Sequence, residues 1–107
     1  SELASTEGFG IISLPDGERE IGGVYIGDLL SWVMGRAKTD NAWITIMSNI
    51  NVIAVATLVD TACVILAEGV TLDDAAISAA KAKDINIIST ELTAYDAAIK
   101  LSDLLSA

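Results

Sequence analysis

The stretch that most constrains this chain is residues 42–69, AWITIMSNINVIAVATLVDTACVILAEG, which holds most of its apolar material and most of the polar groups that interrupt it. Two apolar runs, 52–59 and 62–67, flank Asp60 and Thr61. Neither approaches the roughly 20 apolar residues that span a bilayer, so both are expected inside a core. Residues 42–47 and 62–67 read as strands. The segment 51–60 between them is harder to assign, because a helix buried on every side loses its amphipathic signal. The capping cluster Ser48, Asn49 and Asn51, the alanines at 54 and 56, and the need to reach a following strand favour a helix. A β-hairpin is the alternative.

The flanking segments repeat this alternation. Residues 1–7 read as the end of a helix closed by Gly8, and 9–14 as a strand stopped by the turn Pro15-Asp16-Gly17. Residues 18–26, EREIGGVYI, suit a second strand, in which Gly22-Gly23 marks a bulge or a close backbone approach. Asp28 is placed to cap a helix over 28–38, with Arg36 and Lys38 complementing its C-terminal dipole. An alanine-rich helix begins at Thr71 or Leu72, with Asp73 and Asp74 in its first turn. A strand over 85–88 and a closing helix over 93–105, striped with Ala97, Ala98, Leu101, Leu104 and Leu105, complete the chain.

Strands and helices alternating at this spacing predict the α/β class: a layered, mostly parallel sheet of about five strands flanked by helices. A length of 107 residues suits one such domain. The continuously apolar run 62–67 fits a strand covered on both faces.

Composition narrows the function classes. Fifteen acidic against six basic residues give a net charge of −9, which opposes nucleic acid and anionic membrane surfaces as partners and fits a cytoplasmic protein. No basic-then-apolar leader opens the sequence, so no secretory signal is expected; residues upstream of Ser1 are left open. Histidine is absent, which removes the commonest general base and metal ligand. The one cysteine, Cys63, sits in an apolar run and reads as a small core residue. There is no GxxxxGK[ST], GxGxxG, CxxC or HExxH pattern. No catalytic residue, metal ligand or cofactor is expected.

Parallel strands open their C-terminal ends onto one edge, the usual ligand edge of such sheets. Sequence order delivers to it Gly27, Asp28, Ser48, Asn49, Asn51, Gly69, Ser89 and Thr90, together with Glu68 and Thr93. Small hydroxyls, amides and helix N-termini suit a neutral or anionic small molecule, although nothing basic is delivered with them. The competing reading is that each is a local cap or turn residue. Asp60 is expected to cap or to pair with Arg19 or Arg36, and Asp73 and Asp74 to form a solvated first turn. Trp43 is expected in the core, and Trp32 either in the core or as the anchor of a homodimer interface.

With these residues placed, the chain resembles a DRTGG domain, the small α/β module similar to the N-terminal domain of HPr kinase/phosphorylase. The resemblance spans about residues 1–105. It rests on GVYIGDLLS at 23–31, AWITI at 42–46, NVIAVA at 51–56, the D-x-x-x-V-I-L-A-x-G pattern from Asp60 to Gly69, and INIISTELTAYDAA at 85–98. The pentapeptide that names the family is missing; EREIGG at 18–23 stands in its place. The resemblance implies a non-catalytic regulatory or assembly-forming module, a homodimer that senses a small ligand such as a nucleotide. A structural subunit of a larger metabolic or redox complex is the alternative. A small phosphotransferase is a third reading, and the missing phosphate loop, histidine and metal cluster oppose it.

Overall fold

The computed structural model describes residues 2–106. A short 3-10 turn, Glu2–Ser5, leads into β1 (Phe9–Ser13) and β2 (Gly23–Ile26), followed by α1 (Leu30–Arg36), β3 (Asn41–Thr45) and α2 (Asn51–Val59). The chain continues through β4 (Cys63–Leu66), α3 (Asp74–Ala82), β5 (Ile87–Thr90) and α4 (Ala94–Ser106). The five strands form one sheet in the order β1-β5-β4-β3-β2. β2 to β5 run parallel, and β1 runs antiparallel against β5.

Because β2, β3, β4 and β5 are laid down side by side in chain order, right-handed crossovers put their three connecting helices on the same face. That face is dry: Val33 of α1, Val52, Ile53 and Ala56 of α2, and Ala76 and Ala80 of α3 close over Trp43, Val64, Leu66 and Ile87. On the other face, α4 and the N-terminal 3-10 turn cover Ala42, Ile44, Cys63, Ile65 and Ile88 through Leu3, Ala97 and Leu101. The 51–60 ambiguity resolves as the helix, with Val52, Ile53, Val55 and Ala56 buried and Leu58 left exposed.

A left-handed aspartate stands between each of the first three helices and the strand that follows it. Asp40, Asp60 and Asp84 adopt left-handed backbone with φ of 69°, 65° and 57° just before β3, β4 and β5. Aspartate tolerates this conformation better than most residues. Arg19 ties two of these turns together. Its guanidinium lies 2.8 Å from the Asp40 carboxylate and 2.9 Å from that of Asp60, and it donates to the Asp60 carbonyl at 2.7 Å. Burial works against the Arg19 charge, but the bonds to Asp40 and Asp60 outweigh it and hold its pKa above the ordinary value. Asp60 therefore pairs with Arg19, whereas Arg36 lies 3.8 Å over the Trp32 ring.

Several element bounds differ from the sequence reading; α3, for one, begins at Asp74 behind the N-cap Asp73, not at Thr71 or Leu72. Residues 18–22 leave the sheet, because this segment crosses its lower edge: Gly22 donates to the Asp40 carbonyl at 2.8 Å, and Arg19 reaches the turns beyond. A Cβ on Gly23 would sit 2.9 Å from Asn41 Nδ2, so the glycine pair marks a close approach. β5 begins two residues later than expected because Asn86 is buried as a staple. Its side chain donates to the carbonyls of Asp16 at 2.7 Å and Ala62 at 3.0 Å and accepts from the Asp16 amide at 3.0 Å. Helix α1 begins at Leu30, and Leu29 stands at its N-cap without a side-chain bond.

Trp43 is fully buried, as expected, whereas Trp32 is 54% exposed, which removes the core reading for that residue. Cys63 is buried, and burial pushes its thiol up to about 12 against the pull of the Arg19 charge. No helix among the described residues is long and apolar enough to cross a membrane.

Candidate functional site

The residues expected at the strand ends fall into three clusters along that edge of the sheet. The first joins the exits of β2 and β3. Asp28 Oδ1 accepts from Thr45 Oγ1 at 2.8 Å and from the Ile46 amide at 2.9 Å, and Thr45 Oγ1 accepts from the Met47 amide at 3.2 Å. Thr45 is 1% exposed, and a buried hydroxyl needs an acceptor. Asp28 supplies it and so does not cap α1. The carbonyl of Gly27 accepts the Trp43 indole N–H at 2.9 Å, so this cluster is already spent on the two strand ends.

The second cluster is the turn before α2. Asn49 Oδ1 accepts the Asn51 amide at 2.9 Å, and the Asn49 carbonyl accepts from the Val52 amide at 3.0 Å. Ser48, Asn49 and Asn51 are all exposed. Ile50, not one of these polar residues, occupies the formal N-cap position of α2.

The third cluster gathers where β4, β5 and β1 meet. Thr90 Oγ1 donates to the Gly8 carbonyl at 2.6 Å and accepts from the Leu92 amide at 3.1 Å, while the Gly69 amide donates to the Thr90 carbonyl at 2.9 Å. Glu68 and Gly69 turn the chain away from β4 with φ of 57° and 74°. A Cβ on Gly69 would sit 2.5 Å from Glu91 Oε2, so the glycine is required both by its backbone and by the carboxylate laid against it. Beside it opens a cleft of about 170 Å³ lined by Gly10, Gly69, Val70, Thr71, Ser89, Thr90 and Glu91. Of the residues expected from sequence, Gly69, Ser89 and Thr90 share this cleft; Gly27, Asp28, Ser48, Asn49 and Asn51 do not line it.

Sequence reasoning missed Gly10, Thr71 and Glu91. Gly10 enters because β1 returns antiparallel beside β5, pairing Gly10 with Ser89, a neighbourhood that chain order does not announce. Glu91 follows directly on the pair already chosen, and its acidic side chain was the available signal.

Electrostatics set what this edge accepts. The carboxylates of Asp28, Glu68 and Glu91 lie along it. Arg36 and Lys81, in the last turns of α1 and α3, belong to the opposite edge, where Arg19 is already paired. Lys100 is the cation near the upper edge, with Nζ 3.4 Å from the Glu7 carbonyl. A larger recess of about 360 Å³ lies at the opposite edge, between residues 17–21 and the end of α4. Among the described residues, no group of three or more His, Cys, Asp or Glu stands close enough to hold a metal ion.

No protein-family profile matches this chain, and no curated protein matches it at a significant level. A solved structure does. The chain superposes, with a TM-score of 0.75 over 90% of its length, on the CBS and DRTGG domains of the regulatory region of Clostridium perfringens pyrophosphatase, crystallised with its activator diadenosine tetraphosphate. The fold is DRTGG-like. Sequence identity over the match is 15%, and the chain spans 42% of that chain's length, so the likeness is one of fold. The DRTGG-like fold agrees with the resemblance read from residues 1–105, including the mostly parallel five-stranded sheet.

Proposed function

We propose that residues 1–107 form one cytoplasmic, non-catalytic regulatory module that dimerises and senses a small ligand at the upper edge of its sheet. The observation that carries this reading is the fold shared with the regulatory region of a pyrophosphatase crystallised with a nucleotide activator. The cleft between β4, β5 and β1 refines the ligand class. About 170 Å³ holds a fragment and not a whole nucleotide, since drug-sized ligands occupy upward of about 300 Å³. A carboxylate beside hydroxyls suits the sugar of a nucleoside, with Glu91 accepting from ribose hydroxyls and Ser89 beside them. Phosphates would project over the exposed turn at residues 48–51, towards the Ser48 hydroxyl and the Asn51 side-chain amide, since the amides of residues 51–54 are already bonded within the turn. Trp32, exposed on α1, is the anchor proposed for the homodimer.

The test is a thermal-shift titration with adenosine, AMP, ATP and diadenosine tetraphosphate. The expected result is stabilisation that Ser89→Ala and Asn51→Ala both weaken. No shift with any of the four ligands, or shifts untouched by both substitutions, overturns the site. Light scattering of the protein and of Trp32→Ala tests the dimer.

The second reading, a structural subunit of a larger metabolic or redox complex, is favoured by the number of large apolar side chains left exposed, Leu58 and Tyr95 at 71% and 73% among them. Nucleotide binding separates the two.

A further inference from the structure

The two faces of the sheet are unequally covered. Five strands spaced about 4.8 Å apart make a sheet about 19 Å wide, and a helix with its side chains covers about 10 Å of it. One face carries three helices. The other carries α4, which crosses β3, and the four-residue 3-10 turn beside β1. The β2 side of that face therefore lacks a layer.

The register shows the vacancy residue by residue. Val24 and Ile26 of β2 pair with Ala42 and Ile44 of β3, whose side chains are fully buried under α4. Val24 and Ile26 point to the same face but are 37% and 49% exposed. Opposite them, Ala98, Ser102 and Leu105 present one side of α4 at helical spacing, and together these residues wall a groove. Through Leu105 the groove runs on into the recess bounded by residues 17–21, whose rim carries Glu18 and Glu20. The one cation of that rim, Arg19, is already bound to Asp40 and Asp60.

We propose that this groove docks a basic amphipathic helix of a partner protein, its apolar stripe on Val24, Ile26 and Leu105 and its Lys or Arg residues against Glu18 and Glu20. Charge chooses the occupant. A second copy laid groove to groove would set its own Glu18 and Glu20 against the same pair, like charge on like, whereas a basic helix brings the opposite sign. The groove lies alongside a helix of 13 residues, and a second helix packed against α4 presents its apolar residues as an i, i+3, i+4, i+7 stripe.

The experiment uses two synthetic helical peptides with the same leucine stripe, one with lysines and one with glutamates on the polar face. Binding is followed by backbone amide shifts of the isotope-labelled protein. The lysine peptide is expected to shift Val24, Ile26 and Leu105, and the glutamate peptide to leave them unmoved. Val24→Asp, at an exposed position, makes the protein more acidic. Attraction by net charge alone would therefore strengthen in this variant, while docking in the groove weakens by about tenfold. Glu18→Lys with Glu20→Lys is also expected to weaken binding. The proposal is overturned if Val24→Asp binds the lysine peptide as tightly as the parent or more so, if both peptides bind equally, or if the shifts lie elsewhere. It is equally overturned if the protein alone self-associates through these residues, which would make a second copy the occupant.

Discussion

The two faces of this sheet are built from the same kind of strand and finished differently. On the face of α1, α2 and α3, apolar residues from every layer reach near-zero exposure. On the face of α4, burial is complete beneath the helix and fails one strand further on, between Ile44 and Ile26 of a single register pair. Burial here follows from what lies above a residue, since Val24 and Ile26 are as apolar as the side chains that are fully covered.

The largest expected effect falls on the closed face. Ile53→Ala leaves a cavity beneath α2 and should cost about 2–4 kcal/mol in urea unfolding. A loss below about 1 kcal/mol would mean that this face is as loosely packed as the other. The covered half of the open face has its own probe in Cys63, whose thiol is pushed up to about 12 from an ordinary 9.0. Because the folded state holds the proton longer than the unfolded chain, the associated stability is full below about pH 9 and is lost as pH rises towards 12. Comparison of Cys63→Ala with the parent across this window isolates the thiol from other alkaline groups. The parent should lose on the order of a few kcal/mol more than the variant, and equal slopes would mean that water reaches β4 under α4.

A smaller effect is expected where the two faces are tied together. Arg19 links the segment leading into β2 with the turns after α1 and α2, and its partners are more than half exposed. Arg19→Ala should therefore cost about 1 kcal/mol, and the cost should shrink in high salt. The smallest effect belongs to the vacant groove. Ile26→Ala should change stability by less than about 0.5 kcal/mol in the isolated protein, because half of the side chain already faces water. A cost similar to that of Ile53→Ala would show that the groove is closed in solution, and the contrast between the faces would fail.

Much of the fold was legible in local chemistry. Alternating periodicity marked the elements, and the capping residues at 48–51 decided for a helix where hydropathy could not. The candidate site was legible only as an edge. Gly69, Ser89 and Thr90 meet in one cleft because β1 turns back beside β5, and no feature of residues 9–13 announces that pairing. Asp28 was misjudged as a cap because its partner, Thr45, lies a whole βα unit away; a buried hydroxyl drew the carboxylate off the helix it precedes.

By itself, then, the sequence determined the α/β alternation, the burial of Val52, Ile53, Val55 and Ala56 and of residues 62–67, and a charge that opposes nucleic acid. These depend on composition and spacing, which act over a turn or two of chain. Tertiary structure alone decided the antiparallel first strand, which strand-end residues share a cleft, and which apolar residues remain uncovered. Each depends on how many elements land on each side of the sheet, and that is a property of topology, not of any residue's own chemistry.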